Sequence, residues 1–233
     1  MKECLDLDIG NSSIKWRVGT RQGVVPHGEL PDINCEVERV RVSSVALERQ
    51  ELTSRLRERY GKTPEFAQST QELCGVTNGY KVPKQLGVDR WLALVAAWNK
   101  FRTNVVVFDF GTAMTVDYVE QNGTHLGGFI VPSEKNMREV LGDRTRDVQV
   151  SEASEHSISF DPGTNTDTAV IRGLDFMCHT WLSGCISLGI ERLGPDTLVV
   201  VTGRGTQKVK AFIDSHYMYE PSLVLDGLAI ALP

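Results

Sequence analysis

The chain begins with a clear alternation of apolar and polar positions. Cys4-Leu5-Asp6-Leu7-Asp8 has a period of two and stops at Gly10-Asn11, which reads as a strand entering a turn. Ser13 to Val18 reads as a second strand, Gly23 to Leu30 as a third, and Arg39 to Val45 as a strictly alternating fourth. From Ala46 to Tyr60 the period lengthens. Leu52, Leu56 and Tyr60 fall four apart and Gly61 closes the run, as in an amphipathic helix. Pro64 to Gln68 reads as a short strand, and Gly79 to Leu86 as a polar loop containing Pro83. Arg90 to Phe101 is a helix apolar on nearly every side, through Trp91, Leu94, Val95, Trp98 and Phe101, and so belongs in the core. Asn104 to Phe108 is a Val-rich strand of the kind covered on both faces. Thr115 to Glu120 and Thr124 to Val131 flank Gln121-Asn122-Gly123, a hairpin signal. The polar tract Gly142 to Asn165 reads as an ordered loop or lid. Thr168 to Leu193 reads as a long helix, Thr197 to Val201 as a buried strand, and the rest as short helical and extended pieces.

One pattern occurs twice. Leu7-Asp8-Ile9-Gly10-Asn11-Ser12-Ser13 reappears, 101 positions later, as Phe108-Asp109-Phe110-Gly111-Thr112-Ala113-Met114. Each copy runs apolar-Asp-apolar-Gly at the end of one strand and the start of the next. A repeat at this spacing predicts two similar β-rich halves. Two such turns facing one cleft would grip a nucleotide's phosphates from both sides, whereas a single Asp-Gly turn is common hairpin chemistry.

The chemistry of the repeat and its neighbours narrows the choice. Gly10 lets backbone approach a phosphate with no Cβ in the way. The Ser12 and Ser13 hydroxyls and the Lys15 ammonium can stabilise phosphate oxygens. Asp8 is a candidate Mg²⁺ ligand, directly or through water; otherwise the segment is a solvated turn with a surface lysine. Gly87-Val88-Asp89-Arg90 sits between a loop and the apolar helix. Asp89 is placed like a helix N-cap, a role that contributes about 1 kcal/mol. It is also placed to accept a substrate hydroxyl's proton in phosphoryl transfer. Arg90 beside it can hold a carboxylate or a phosphate.

Composition removes several function classes. The chain has 233 residues, about one and a half domains by length alone. Its longest apolar runs, such as Trp91 to Trp98, fall short of the ~20 residues of a membrane span. The start, Met1-Lys2-Glu3-Cys4, argues against a signal peptide. Net charge is -5, and residues 117–233 carry 9 Lys/Arg against 16 Asp/Glu, with no basic stripe for a phosphate backbone. No nucleic acid or membrane partner is expected. Five cysteines without a Cys-x-x-Cys pair fit a reducing cytoplasm. The five histidines lack metal-ligand spacing. Asp109-Phe110-Gly111 has no kinase catalytic loop to go with it, and Gly203-Arg204-Gly205 lacks the third glycine of a dinucleotide fingerprint.

Four ordered motifs complete the picture: Asp8-x-Gly10-Asn11-Ser12-x-x-Lys15, Gly87-Val88-Asp89-Arg90, Asp109-x-Gly111-Thr112-Ala113-x-Thr115 and Gly127-Gly128-x-Ile130. Their order resembles that of type III pantothenate kinases, of the acetate and sugar kinase/Hsc70/actin superfamily. The likeness continues through Thr166-Asp167-Thr168-Ala169 and Thr202-Gly203 to Asp226-Gly227-Leu228-Ala229. The resemblance implies an α/β fold of two ribonuclease H-like (actin-like ATPase) domains, mixed sheets flanked by helices with a cleft between the halves, here 1–102 and 103–233. It implies a homodimer that phosphorylates pantothenate with ATP, the first step of coenzyme A synthesis. By position, Asp89 would be the proton acceptor, with Tyr80, Gly87, Val88, Asp89, Arg90 and Thr168 contacting pantothenate. Asp8, Ile9, Gly10, Asn11, Ser12, Ser13, Ile14 and Lys15, with Thr112, would bind ATP. Asp8 would serve Mg²⁺, and Asp109 a monovalent cation, K⁺ or NH₄⁺. Three positions depart from the family's usual pattern: Ser12 for Thr, Ser133 for Gly, and Arg204 within a usual Thr-Gly-Gly turn. The alternatives are a regulatory, accessory transcription factor-like protein on the same fold, or a kinase for another small hydroxy acid.

Overall fold

The N-terminal alternation folds as the sequence predicts. β1 (Glu3–Ile9) sends Leu5, Leu7 and Ile9 to one face and Cys4, Asp6 and Asp8 to the other. β2 (Ser13–Val18) pairs antiparallel with it, and β3 (Arg21–Pro26) pairs antiparallel with β2. β4 (Val37–Ser44) runs parallel to β1, and β5 (Pro64–Phe66) parallel to β4. The sheet order is therefore β3-β2-β1-β4-β5. The structure is a computed structural model, and it describes residues 3–45, 48–144, 158–204, 212 and 217–233.

By internal contacts the chain forms two units. The first comprises Met1–Thr103, Val119–Gly127 and Ser222–Pro233, and the second Asn104–Tyr118 and Gly128–Pro221. In the first, helix α1 (Arg49–Tyr60) buries Leu52 and Leu56 against Leu5, Leu7, Ile9, Ile14, Val40 and Val42. The sheet's other face is charged. Asp6 is 2% exposed and lies opposite Arg17 on β2 and Arg41 on β4. Both guanidiniums bond its carboxylate, Arg17 Nη2 at 3.1 Å and Arg41 Nε at 2.6 Å. They reach on to the C-terminal helix α5 (Leu223–Ala231) and its end. Arg17 pairs with Asp226 and donates to the Leu225 carbonyl at 2.6 Å, and Arg41 donates to the Leu232 carbonyl at 2.8 Å. Helix α2 (Val88–Phe101), buried from Arg90 to Trp98, packs against α5.

The second unit repeats the plan. β8 (Val105–Phe110), β9 (Ala113–Val119), β10 (His125–Pro132), β11 (Leu198–Gly203) and β12 (Tyr217–Tyr219) form a sheet ordered β10-β9-β8-β11-β12. β8, β11 and β12 are parallel neighbours, as β1, β4 and β5 are. Its core gathers Val106, Phe108, Val116, Tyr118, Val199 and Val201 against Leu182 and Cys185 of α4 (Thr166–Leu193). Asn165 caps α4, accepting from the Thr168 amide at 2.8 Å.

Several boundaries differ from the sequence reading. β3 runs from Arg21 to Pro26, because the turn at Gly19-Thr20 pairs Val18 with Arg21 and starts the return strand early. β6 (Glu72–Leu73) and β7 (Val76–Thr77) form a small hairpin between the predicted strand Pro64 to Gln68 and the loop Gly79 to Leu86, where the sequence assigned no element. Helix α3 (Glu134–Arg144) takes in the first three residues of the 142–165 tract, which read as loop, and residues 145–157 of that tract lie outside the described part. Ala46 and Leu47 of the first helical run, and Gly205, lie outside it too. Ser133, a departure from the family pattern, accepts from the Asn136 amide at 3.3 Å and so begins α3 as its N-cap. Among the described residues, no helix is long and apolar enough to cross a membrane.

Candidate active site

The first Asp-Gly turn lies at the end of β1. Gly10, Asn11 and Ser12 make the connection, closed by the Gly10 amide on the Ser13 carbonyl at 3.1 Å. Asn11 and Ser12 are exposed; Ile9 and Ile14 are buried core residues whose side chains face away from solvent. Asp8, half-buried, is paired in register with Lys15 on β2 and with Ser43 on β4. An ammonium therefore lies directly across from a carboxylate, on the sheet face opposite the core. The Ser43 hydroxyl is buried with no hydrogen-bond partner among the described residues.

The second cluster belongs to the same unit. A 3-10 turn over Pro83–Gln85 delivers the chain to Gly87, which is the N-cap of α2. Asp89 therefore lies inside the first helical turn, which corrects the expectation that it sits at the cap. Its Oδ1 accepts from the Arg90 amide at 2.8 Å. The same oxygen lies 2.7 Å from where a Cβ on Gly87 would stand, so glycine at this position leaves room for the carboxylate. A carboxylate in the first turn also faces the positive end of the helix dipole. Arg90 is 6% exposed, and its Nη1 donates to the Tyr80 hydroxyl at 3.0 Å. The guanidinium also lies 5.8 Å over the Tyr80 ring centroid. The unit thus sets a half-buried carboxylate, a buried guanidinium and a phenol side by side.

Sequence reasoning missed what holds Tyr80. Asn78, 3% exposed, ties the Thr70 and Pro83 carbonyls through Nδ2, and its Oδ1 accepts from the Tyr80 amide at 3.0 Å. His125, 1% exposed, stacks on the Tyr80 ring at 6.0 Å and 14°. A polar residue inside a Gly/Pro-rich loop was the only available signal for Asn78. His125 is 45 positions from Tyr80 and gave none.

The second Asp-Gly turn closes β8 onto β9, with the Gly111 amide on the Ala113 carbonyl at 3.0 Å. Asp109 is half-buried and paired in register with Thr202 on β11. Its Oδ1 lies 2.6 Å from a Cβ built on Gly203, so the carboxylate rests against that backbone. Thr202, like Ser43, has a buried hydroxyl with no partner among the described residues. The repeat thus extends beyond the turns. In each sheet the Asp has a buried, unsatisfied hydroxyl on the parallel neighbour strand. Thr112 is exposed, and its carbonyl accepts from Asn136 Nδ2 at 2.9 Å. The Thr168 hydroxyl takes part in the α4 capping box with Asn165. Arg204 is exposed.

On the parallel neighbour strand each Asp has a hydroxyl oxygen in register, Ser43 for Asp8 and Thr202 for Asp109, and oxygen donors of this kind suit a hard cation that retains water. Two unsatisfied buried hydroxyls fit such ions as well. No group of three or more His, Cys, Asp or Glu converges among the described residues, so no all-protein metal cage is present there.

Comparison with known proteins bears on these motifs as a set. Residues 4–187 match the family model for type III pantothenate kinase. The chain is 36% identical over 249 residues to a type III pantothenate kinase of Pseudomonas savastanoi pv. phaseolicola, covering 98% of both chains. It is 37% identical over 245 residues to one from Pseudomonas aeruginosa, again covering 98% of both. Among solved structures it resembles a Baf family protein of Campylobacter jejuni described as a transcriptional activator. The TM-score is 0.63 at 19% identity over 97% of this chain and 95% of that one, a likeness of fold. The mixed α/β architecture is thus shared with that solved structure, and the chain belongs to the type III pantothenate kinase family.

Proposed function

We propose that this chain transfers the γ-phosphoryl group of ATP to the primary hydroxyl of pantothenate, opening coenzyme A synthesis in the cytoplasm as a homodimer. The observation that carries the reading is the first turn of α2. There a half-buried Asp89 carboxylate stands beside the buried Arg90 guanidinium, in a chain related along 98% of its length to pantothenate kinases. Asp89 takes the hydroxyl proton as the oxygen attacks the γ-phosphorus, the bond to the β–γ bridging oxygen breaks, and ADP departs. Arg90, with Tyr80, Gly87, Val88 and Thr168, holds pantothenate, the guanidinium suiting its carboxylate. Asp8 to Lys15 bind the ATP phosphates through backbone, hydroxyls and the Lys15 ammonium, and Thr112 also contacts ATP.

Asp8, with Ser43 beside it, would hold Mg²⁺, and Asp109, with Thr202, a monovalent cation; such ions neutralise phosphate charge during transfer. The halves 1–102 and 103–233 correspond to the two copies of the repeat. The homodimer is supported by apolar surface on the second unit, where Phe129, Phe176, Met177 and Ile190 are more than 40% exposed.

Asp89→Asn is the test. The amide keeps the shape and cannot take the proton, so pantothenate-dependent ADP release should fall ~10²-fold or more. Circular dichroism and the thermal midpoint should stay those of the parent. Turnover within about threefold of the parent would remove Asp89 from the proton-accepting role.

A further inference from the structure

His125 lies outside every motif that marks the family in this sequence, yet it is almost fully enclosed, at 1% exposure. Its surroundings fix its orientation. The Gly79 amide donates to its Nδ1 at 3.3 Å. A backbone N–H can only donate, so Nδ1 is the acceptor in this bond. Contact between the two segments is close. A Cβ on Gly79 would stand 1.9 Å from the His125 carbonyl oxygen, so only glycine lets the loop lie this near. The turn of the β9–β10 hairpin adds a further tie, the Thr77 amide to the Gly123 carbonyl at 2.9 Å.

These contacts lead to the substrate residues. The imidazole stacks on Tyr80 with centroids 6.0 Å apart and planes 14° from parallel. The Tyr80 hydroxyl accepts from Arg90 Nη1 at 3.0 Å. Asn78 fixes the Tyr80 backbone, while His125 fixes the ring. A tyrosine tethered only through its backbone keeps χ1 and χ2 freedom, and its phenol would not define where the guanidinium stops. We infer that His125 is a positioning residue for pantothenate. Its ring holds Tyr80, and through Tyr80 it holds Arg90, in the geometry that receives the substrate's carboxylate. The inference rests on the reading of Tyr80 and Arg90 as pantothenate-binding residues.

Three variants separate this from a merely structural role. His125→Ala removes ring and acceptor, His125→Phe keeps a ring to stack, and His125→Asn keeps an acceptor near the Nδ1 position. Steady-state kinetics with each substrate varied should show the pantothenate KM raised about tenfold or more in His125→Ala, with the ATP KM within twofold. Each of the other two should recover part of the loss. In a Tyr80→Leu background, His125→Ala should add less than twofold, because the effect passes through Tyr80. A pantothenate KM within twofold of the parent in both His125→Ala and His125→Phe would overturn the inference. So would equal rises in both KM values, or full additivity with Tyr80→Leu. If His125→Ala does not fold, the Phe and Asn variants carry the same comparison. Parent enzyme without pantothenate-dependent turnover would instead defeat the functional reading itself.

Discussion

At the scale of single residues, the candidate site is built on small clearances. Gly87 leaves space for one oxygen of Asp89, and a methyl group there would press on it at 2.7 Å. Gly87→Ala should therefore shift the carboxylate and lower kcat by tenfold to ~10²-fold, since misplacement near 1 Å has that order of effect. Stability should change by about 1 kcal/mol or less, because Gly and Ala differ modestly at a cap. An unchanged kcat, measured beside a thermal melt, would mean that the carboxylate's position does not matter. Asp8, Asp89 and Asp109 were legible because each follows or precedes a glycine at a fixed step from an apolar run. The helix cap was read two residues too late, at Asp89, because the true cap is Gly87, which has no side chain to mark it. Asn78 and His125 were illegible for a related reason. Their partners are fixed by tertiary contact, not by sequence spacing.

At the scale of elements, β1 and β2 follow the alternation closely, and the strict pattern of β4 conceals an ionic layer. Asp6 lies between two guanidiniums that also bind the backbone of α5 and its C-terminal end, so four elements meet at one buried carboxylate. Removing one partner of such a set leaves uncompensated charge. Asp6→Ala should cost about 3–5 kcal/mol in denaturant unfolding; a loss under about 1 kcal/mol would show the layer to be water-filled. Nothing in the local pattern announced this, since Asp6 reads as an ordinary outward polar position until the helix at the far end of the chain covers it.

A second tie is testable by pH. Tyr60, at the end of α1, donates to the Pro31 carbonyl at 2.7 Å, and burial pushes its phenol up to about 12. A folded-state value above the ordinary one near 10 means stability that is complete below pH ~10 and lost as pH rises towards 12. Tyr60→Phe should flatten that alkaline limb in unfolding measurements; an unchanged limb would place the loss elsewhere. The small β6–β7 hairpin and α3 escaped the sequence reading because neither has enough apolar positions to show a period.

At the scale of the whole molecule, the repeat of a seven-residue pattern proved to be a repeat of two sheets with the same strand order and parallel core. They differ between the third and fourth strands. The first sheet crosses over by the loop 27–36, whereas the second inserts α3 and α4. In that insertion α4, together with Phe129 of β10, lines an apolar groove of about 690 Å³ with Phe176, Met177, Thr180, Trp181 and Leu188. Light scattering should give the mass of two chains, and Phe176→Asp should shift it towards one. A parent that stays at one chain over the working concentration range would contradict the homodimer. Fold class and the set of motifs were legible because duplication is visible at the level of letters. The exposed apolar side of α4 was not, because an apolar helix side reads the same whether a core or a partner covers it.

The most direct test of the account is the product itself. Purified chain is incubated with ATP, Mg²⁺, K⁺ and pantothenate, and the products are followed by mass spectrometry and ³¹P NMR. The account expects one phosphomonoester on the primary hydroxyl of pantothenate for each ADP formed, and none with Asp89→Asn. ADP formed at the same rate without pantothenate, or no phosphorylated pantothenate from folded protein, would contradict it.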